Sequence, residues 1–271
     1  MIVDVSAMHQ SNRHAWNEGA ARYDEQFAAS VARLRAGHSL YPPELRFLGD
    51  LRAWCRRAIH LQCAGGEDTL SLWKLGAGEV VGVDISDAMI AIARRKSAAL
   101  EAPAQWFQSD VLGTPHELDG TADLVYTGKG ALNWLHDIDG WAGVVARLLI
   151  PGGRFYLYEG HPITWIFEQE ADTLKLDPRY GDYFSERAEP GQGWPATYIG
   201  ELSCPKDELA VKWERQWPLG TVMNALIAAG LRVERFEEHP DSYWERFPNM
   251  PAETLSKFPQ TYSLLMRRDG V

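Results

Sequence analysis

Two glycines and an acid nineteen residues downstream carry the first chemical signal in the chain. Gly65-Gly66 follow the apolar run Ala58-Ile59-His60-Leu61-Gln62-Cys63, and Asp84 closes a second run, Val80-Val81-Gly82-Val83. A short apolar run ended by paired glycines reads as a buried strand turning tightly into a helix. Glycine tolerates positive φ there and lets a ligand approach the main chain. A carboxylate at the end of the next strand stands where a parallel βαβ unit can hydrogen-bond ribose hydroxyls, so the spacing points to a nucleoside cofactor. A second constellation, Tyr158-Glu159-Gly160-His161-Pro162, puts a carboxylate and an imidazole at the end of a later apolar run. An imidazole with an ordinary pKa of about 6.5 suits a general base. His161 is therefore the first choice for that role, with Glu159 as its orienter or as an independent polar contact; a purely structural histidine is the alternative.

The loop chemistry separates cofactors. A dinucleotide fingerprint, G-x-G-x-x-G, leaves room for a pyrophosphate against the helix N-terminus. Here the loop reads Ala64-Gly65-Gly66-Glu67-Asp68. Two acids at a helix start suit the macrodipole but repel a pyrophosphate, favouring a ligand without phosphate or one carrying positive charge. S-adenosylmethionine meets both conditions.

On these residues the chain resembles the class I S-adenosylmethionine-dependent methyltransferases. Their glycine-rich loop matches Leu61-Gln62-Cys63-Ala64-Gly65-Gly66-Glu67-Asp68-Thr69, and their ribose-binding acid matches Asp84 in Gly82-Val83-Asp84-Ile85-Ser86. Gln108-Ser109-Asp110-Val111 is similar to the turn that holds adenine, and Leu149-Ile150-Pro151-Gly152-Gly153-Arg154 to the turn entering the fifth strand. The resemblance is strong over roughly residues 50 to 160 and weak elsewhere; Ala64 departs from it, since many members carry glycine there. It implies S-adenosylmethionine as cofactor, S-adenosylhomocysteine as product, and cofactor contacts from Gln62, Ala64, Gly65, Asp84, Ile85, Asp110, Val111 and Thr127. It also implies an N-terminal helical cover, from which Tyr23 and Tyr41 would reach the methionine moiety.

For the acceptor, Asn133, Trp134 and His136 follow the fourth strand, and Trp16, Trp165 and Trp194 lie on segments that could close over the site. Trp134 could equally start a buried helix. The stretch Tyr126 to His136 holds neither the Asn- or Asp-Pro-Pro-aromatic element of base N-methylation nor the Pro-Cys of cytosine methylation. Transfer from a sulfonium is an in-line displacement from an already activated carbon, so positioning supplies much of the rate and no catalytic triad is required.

The elements that must position these residues follow from periodicity. Ser11 or Asn12 is expected to cap a helix to about Arg35, with Trp16, Ala20, Tyr23, Phe27, Val31 and Leu34 on one face. From Leu45 to about Arg56 a helix is expected. Strands then alternate with helices to Tyr158, which implies a parallel sheet with helices on both faces and ligands at the strand C-termini. Residues 161–216, rich in Gly, Pro and Trp, read as an irregular lid with a few strands such as Thr197 to Leu202. The fold class is an α/β, Rossmann-like seven-stranded methyltransferase sheet whose last strand runs antiparallel, with Tyr262 to Met266 as its candidate. The expected organisation is a helical cover over 1–45, a cofactor-binding core over 46–160, the lid over 161–216, and completion of the sheet over 217–271.

Composition narrows the function classes. A net charge of −10 over 271 residues leaves no basic face for phosphate contacts, which disfavours nucleic acid. Arg94-Arg95-Lys96 reads as the solvated face of an amphipathic helix. Eleven tryptophans are unusually many, and those outside the sheet are candidates for a pocket wall as well as for core. Three scattered cysteines argue against a disulfide framework, and no His/Cys/Asp/Glu cluster is spaced for a metal. No signal-like segment or run of about 18 apolar residues occurs, so a cytoplasmic protein without a membrane span is expected. Oligomeric state is left open, a homodimer included. The expected activity is methyl transfer to oxygen or nitrogen of a small-molecule acceptor. A non-catalytic cofactor-binding regulator and, behind it, an NAD-dependent oxidoreductase are the alternatives.

Overall fold

The two apolar runs that flank the glycine loop become strands buried on both faces. In the computed structural model, which describes residues 4–200, 202 and 204–270, β1 (Arg57–Leu61) and β2 (Glu79–Asp84) carry Ala58, Ile59, Leu61, Val80, Val81 and Val83 with no exposed surface. Burial on both faces is what a parallel strand between two helix layers requires. Preceding them are α1 (Val5–Glu25), α2 (Phe27–Ala36) and α3 (Pro42–Leu48). The chain continues through α4 (Glu67–Lys74), α5 (Asp87–Leu100), β3 (Ala104–Gln108), β4 (Ala122–Gly128), α6 (Ile138–Leu148) and β5 (Leu149–Gly160). It ends with β6 (Glu189–Gly191), β7 (Lys212–Glu214), α7 (Leu219–Ala228), β8 (Leu231–His239), α8 (Ala252–Leu255) and β9 (Thr261–Arg268).

Seven strands form one sheet in the order β3-β2-β1-β4-β5-β9-β8. The first five pair in parallel, while β9 runs antiparallel to both β5 and β8. This is the expected fold class, and the antiparallel strand is the expected one. The order reverses between β1 and β4, so the crevice for a ligand opens at the ends of those two strands. On one face, Trp141, Val145 and Leu148 of α6 and Leu226 of α7 pack on Ile59, Val125 and Phe155. On the other, Phe47 and Leu48 of α3 pack with Tyr126, Tyr156 and Tyr158.

Three local expectations are corrected. The N-terminal helix starts at Val5 and breaks at Gln26 (φ −86°, ψ 0°) rather than running unbroken from Ser11 to Arg35. Asn12 is no cap: its Oδ1 accepts from the Trp213 amide at 2.6 Å and its Nδ2 donates to the Trp213 carbonyl at 3.0 Å, fastening α1 to β7. The helix expected over Leu45 to Arg56 is α3, which stops at Gly49 in a left-handed conformation (φ 61°) that favours glycine. In the lid, Thr197 to Gly200 forms a turn closed by the Tyr198 amide on the Pro195 carbonyl. The remainder of that expected strand runs into residue 201, outside the described residues; the lid pairing is β6 with β7. Among the described residues no helix is long and apolar enough to cross a membrane.

Candidate active site

The loop after β1 is wound into the left-handed region at alternate positions: Gln62 (φ 57°), Ala64 (φ 44°) and Gly66 (φ 75°). Gly66 must be glycine for a second reason. A Cβ there would lie 2.5 Å from the Trp106 ring, and one on Gly82 would lie 2.4 Å from it, so one indole laid across both positions demands both glycines. The winding turns the Ala64 amide onto Asp84, whose Oδ2 accepts from it at 2.7 Å while Oδ1 accepts from the Ser86 amide at 2.8 Å. Burial nevertheless dominates and pushes the Asp84 carboxyl up to about 6.

The strand ends enclose a cavity of about 320 Å³, and Tyr23, Tyr41, Gln62, Ala64, Gly65, Asp84, Ile85, Asp110 and Val111 all line it. Nine of the ten residues expected on the cofactor are thus brought together. The tenth, Thr127, is corrected: it lies outside the lining, and its buried hydroxyl donates to the Leu61 carbonyl at 2.9 Å, tying β4 to β1. Asp110 accepts from the Leu112 amide at 3.0 Å and faces His9 Nδ1 at 2.8 Å, an attachment of α1 to the turn after β3. Gln62 donates through Nε2 to the Ala131 carbonyl at 2.8 Å, leaving its Oε1 buried without a partner. A buried acceptor lacking a donor is costly unless a ligand supplies one.

Glu67 and Asp68 do not stand free, contrary to the expectation that they favour a cationic ligand. Glu67 accepts from Ser30 at 2.5 Å and Arg33 at 2.9 Å, with Lys96 Nζ 3.8 Å away. Lys96 is itself only 2% exposed, not on a solvated face. Asp68 accepts from the Ser39 hydroxyl and from Lys129 Nζ, each at 2.9 Å, and Lys129 also pairs with buried Glu44 at 3.1 Å. These carboxylates hold the Lys129 ammonium firmly protonated despite its burial. Lys129 was not singled out from the sequence, although Gly128-Lys129-Gly130, all at positive φ, was the available signal.

A second cavity, of about 610 Å³, adjoins the first. Lys129, Gly130, Trp134, Tyr198, Tyr243 and Trp244 line both. Asn133, Trp134, Trp165 and Trp194, all expected near the acceptor, line it. Trp16 lies on the cofactor side and packs against Trp194 and Trp134, with ring centroids 4.7 and 5.3 Å apart. His136 is corrected: it lines neither cavity, and burial lowers its pKa to about 4, beside His9 at 5.5 Å.

The expected base and its orienter have other work. Glu159 accepts from the amides of Gly130 (2.6 Å), Gly160 (2.7 Å), Ala131 (2.8 Å) and Leu132 (3.2 Å) and from the Tyr243 hydroxyl (3.1 Å). It is an anchor for the loop after β4, not a free carboxylate. His161 lies outside both cavities; Nδ1 accepts from the Ile163 amide at 3.1 Å and Nε2 sits 3.0 Å from Glu238. Nδ1 is committed to that amide while Nε2 faces Glu238 without a hydrogen bond, and the residue caps the short helical turn Pro162–Ile166. Tyr198, Tyr243 and Arg246 were missed because they lie on irregular segments where spacing carries no signal.

Comparison with known proteins bears on the same region. Residues 58–153 match a family model described as a methyltransferase domain. A demethylmenaquinone methyltransferase of Thermus thermophilus is 35% identical over 131 residues, 44% of this chain and 58% of the relative. A 2-phytyl-1,4-naphtoquinone methyltransferase of Thermosynechococcus vestitus is 36% identical over 115 residues, 41% and 50% of the two chains. The chain thus spans about half the length of these relatives. The crystal structure of an S-adenosylmethionine-dependent methyltransferase from Mesorhizobium loti superposes with a TM-score of 0.56 at 25% identity, covering 83% of this chain and 96% of that one. A geranyl diphosphate C-methyltransferase from Streptomyces coelicolor, solved with S-adenosylhomocysteine, shares the fold with a TM-score of 0.55 at 16% identity, over 83% and 75%. The residues at the switch point fit that cofactor: Asp84 retains lone pairs for hydroxyls beyond its two amides, and Gln62 offers an unused acceptor. With its sheet order and its matched region, the chain carries a methyltransferase domain over residues 58–153 and shares the fold of the S-adenosylmethionine-dependent methyltransferases.

Proposed function

We propose that the chain transfers a methyl group from S-adenosylmethionine to an oxygen or nitrogen of a small aromatic acceptor held in the second cavity. The observation that carries this reading is the shared wall: two cavities meet at Lys129, Gly130, Trp134, Tyr198, Tyr243 and Trp244. The cofactor, when bound, supplies a methyl on a sulfonium with a neutral thioether as leaving group. What remains for the protein is to align the acceptor atom and exclude water, and the mutually packed, tilted indoles of Trp16, Trp134 and Trp194 support that reading.

Among the described residues on the shared wall, none is a free base at neutral pH. Lys129 is held protonated, and burial keeps the Tyr243 phenol protonated beside Glu159. The acceptor atom is therefore read as one that is already nucleophilic when bound, such as a phenolate or an aromatic amine. The two quinone-named relatives are in keeping with a flat ring system. The test is to incubate the purified chain with methyl-labelled cofactor and a panel of aromatic hydroxy and amino compounds. Labelled product is expected. Tight S-adenosylhomocysteine binding with no transfer across the panel would favour the regulatory alternative, and binding of NAD(P)H in its place would overturn both.

A further inference from the structure

Arg246 lies on the segment between β8 and α8, 8% exposed, and lines the second cavity. Its guanidinium carbon stands 4.4 Å from the centre of the Trp165 ring and 5.6 Å from that of Trp244. Nε donates to the Thr164 carbonyl at 3.2 Å, which fixes the plane of the fork. Its two terminal nitrogens make no hydrogen bond to the described residues, and no described carboxylate forms an ion pair with it. Burial lowers its pKa to about 10, so at neutral pH the charge remains. A buried, unpaired guanidinium is expensive, and natural interiors keep one only where a counter-charge arrives.

The other charges around this cavity are already engaged or open to solvent. Lys212 pairs with Glu214 at 2.6 Å, Lys129 with Asp68, and Glu168 with Lys175 at 2.9 Å; Glu159 is held by backbone amides, and Arg179, Lys206 and Glu170 are exposed. Asp177 accepts from the amides of Arg179 and Tyr180. Arg246 is thus the buried cation left over, facing a cavity walled by Trp134, Trp165, Trp194, Tyr180, Tyr198 and Trp244. We infer that the acceptor carries a carboxylate, bound by the Arg246 fork at the end of an aromatic body whose other end faces the shared wall. A monoanion matches a two-pronged donor. A phosphate dianion would meet Glu168, Asp177 and Glu214 on the same wall, with Arg246, the one buried cation among the described residues that has no ion pair, to offset them. The inference rests on the second cavity being the acceptor site.

The experiment uses three probes of one shape: 2-naphthoate, its neutral amide and 2-naphthyl phosphate. Each is titrated calorimetrically into the wild-type chain saturated with S-adenosylhomocysteine. The acid should bind at least tenfold more tightly than the amide and more tightly than the phosphate. In Arg246→Gln the acid should lose that advantage while the amide is unchanged, and Arg246→Lys should restore only part of it because a point charge lacks the fork. Equal binding of acid and amide to wild type, no binding of either, or a preference that survives in Arg246→Gln overturns the inference, and a stronger phosphate overturns the carboxylate assignment. Should Arg246→Gln fail to fold, the wild-type acid-to-amide ratio alone decides. S-adenosylhomocysteine affinity, measured first on each protein, separates the two failures: its absence defeats the methyltransferase activity, whereas its presence without carboxylate selectivity defeats only the role of Arg246.

Discussion

Asp84→Asn should separate stability from cofactor affinity. The Asp84 carboxyl rises from 3.8 to about 6 on folding, mainly through burial. At 1.36 kcal/mol per pH unit, its ionised form is about 3 kcal/mol dearer in the folded chain at neutral pH. Because the folded pKa is the higher one, this group's stabilising contribution is complete below pH 3.8 and is lost as pH rises through about 6. Asparagine removes the charge but offers one carbonyl oxygen where the aspartate used two, so either the Ala64 or the Ser86 amide loses its acceptor, a cost of about 1–3 kcal/mol. The apo variant should therefore be unchanged or up to about 2 kcal/mol more stable at pH 7.5, read from the urea midpoint at constant m-value. That advantage should shrink between pH 7 and 5, where the wild type takes up its proton. Affinity for S-adenosylhomocysteine, by calorimetry, should fall about 10- to 100-fold through the lost charge-assisted bonds to hydroxyls. A variant destabilised by more than about 2 kcal/mol with affinity intact would refute the reasoning, since it would make Asp84 a loop anchor and not a ligand.

Three further outcomes are expected. Ala64→Gly relieves a left-handed alanine, so thermal denaturation should show a gain of about 0.5–1 kcal/mol after the glycine's unfolded-state entropy is discounted, with cofactor affinity within threefold. His161→Ala removes a cap on the Ile163 amide and should lower stability by about 1 kcal/mol in chemical denaturation while leaving the rate of methyl transfer within twofold across pH 6–9; a large loss of kcat at intact fold would return the histidine to catalysis. Hydrogen exchange with and without S-adenosylhomocysteine should show protection across residues 10–35 and 161–200, and equal exchange in both states would make these segments packing surfaces only.

The sheet was legible because its evidence is redundant. Apolar runs, paired glycines and an acid at a strand end each constrain the same register, and a parallel strand buried on both faces leaves little freedom in what it displays. The site was legible in proportion to how close its residues stand to that sheet. Asp84, Gln62 and Asp110 sit at strand ends, and their places follow from topology. Lys129, Tyr243 and Arg246 do not, because a loop or lid residue acquires its role from a distant partner. Asp68 gives Lys129 its place, Glu159 gives Tyr243 its place, and the ring of Trp165 does so for Arg246. The misreading of His161 has the same origin. An acid and an imidazole two residues apart look alike in sequence whether they face a cavity or cap a turn, and only the amide of Ile163 decides.

The wall common to the two cavities joins a backbone loop to a set of aromatic rings. Its rim is mostly aromatic, with Trp134 packed against both Trp16 and Trp194 and Tyr243 pinned through its hydroxyl to Glu159. Gly130, the smallest residue there, faces that hydroxyl across a gap in which even a Cβ would sit 3.6 Å from the oxygen. Rings packed edge-to-face or tilted on one another do not rearrange cheaply. The loop after β4 and the ring standing opposite it hang on one carboxylate, because Glu159 accepts from the amides of Gly130, Ala131 and Leu132 and from the Tyr243 hydroxyl. The two sides of the wall are thereby tied together, and a change at Glu159 reaches both cavities at once.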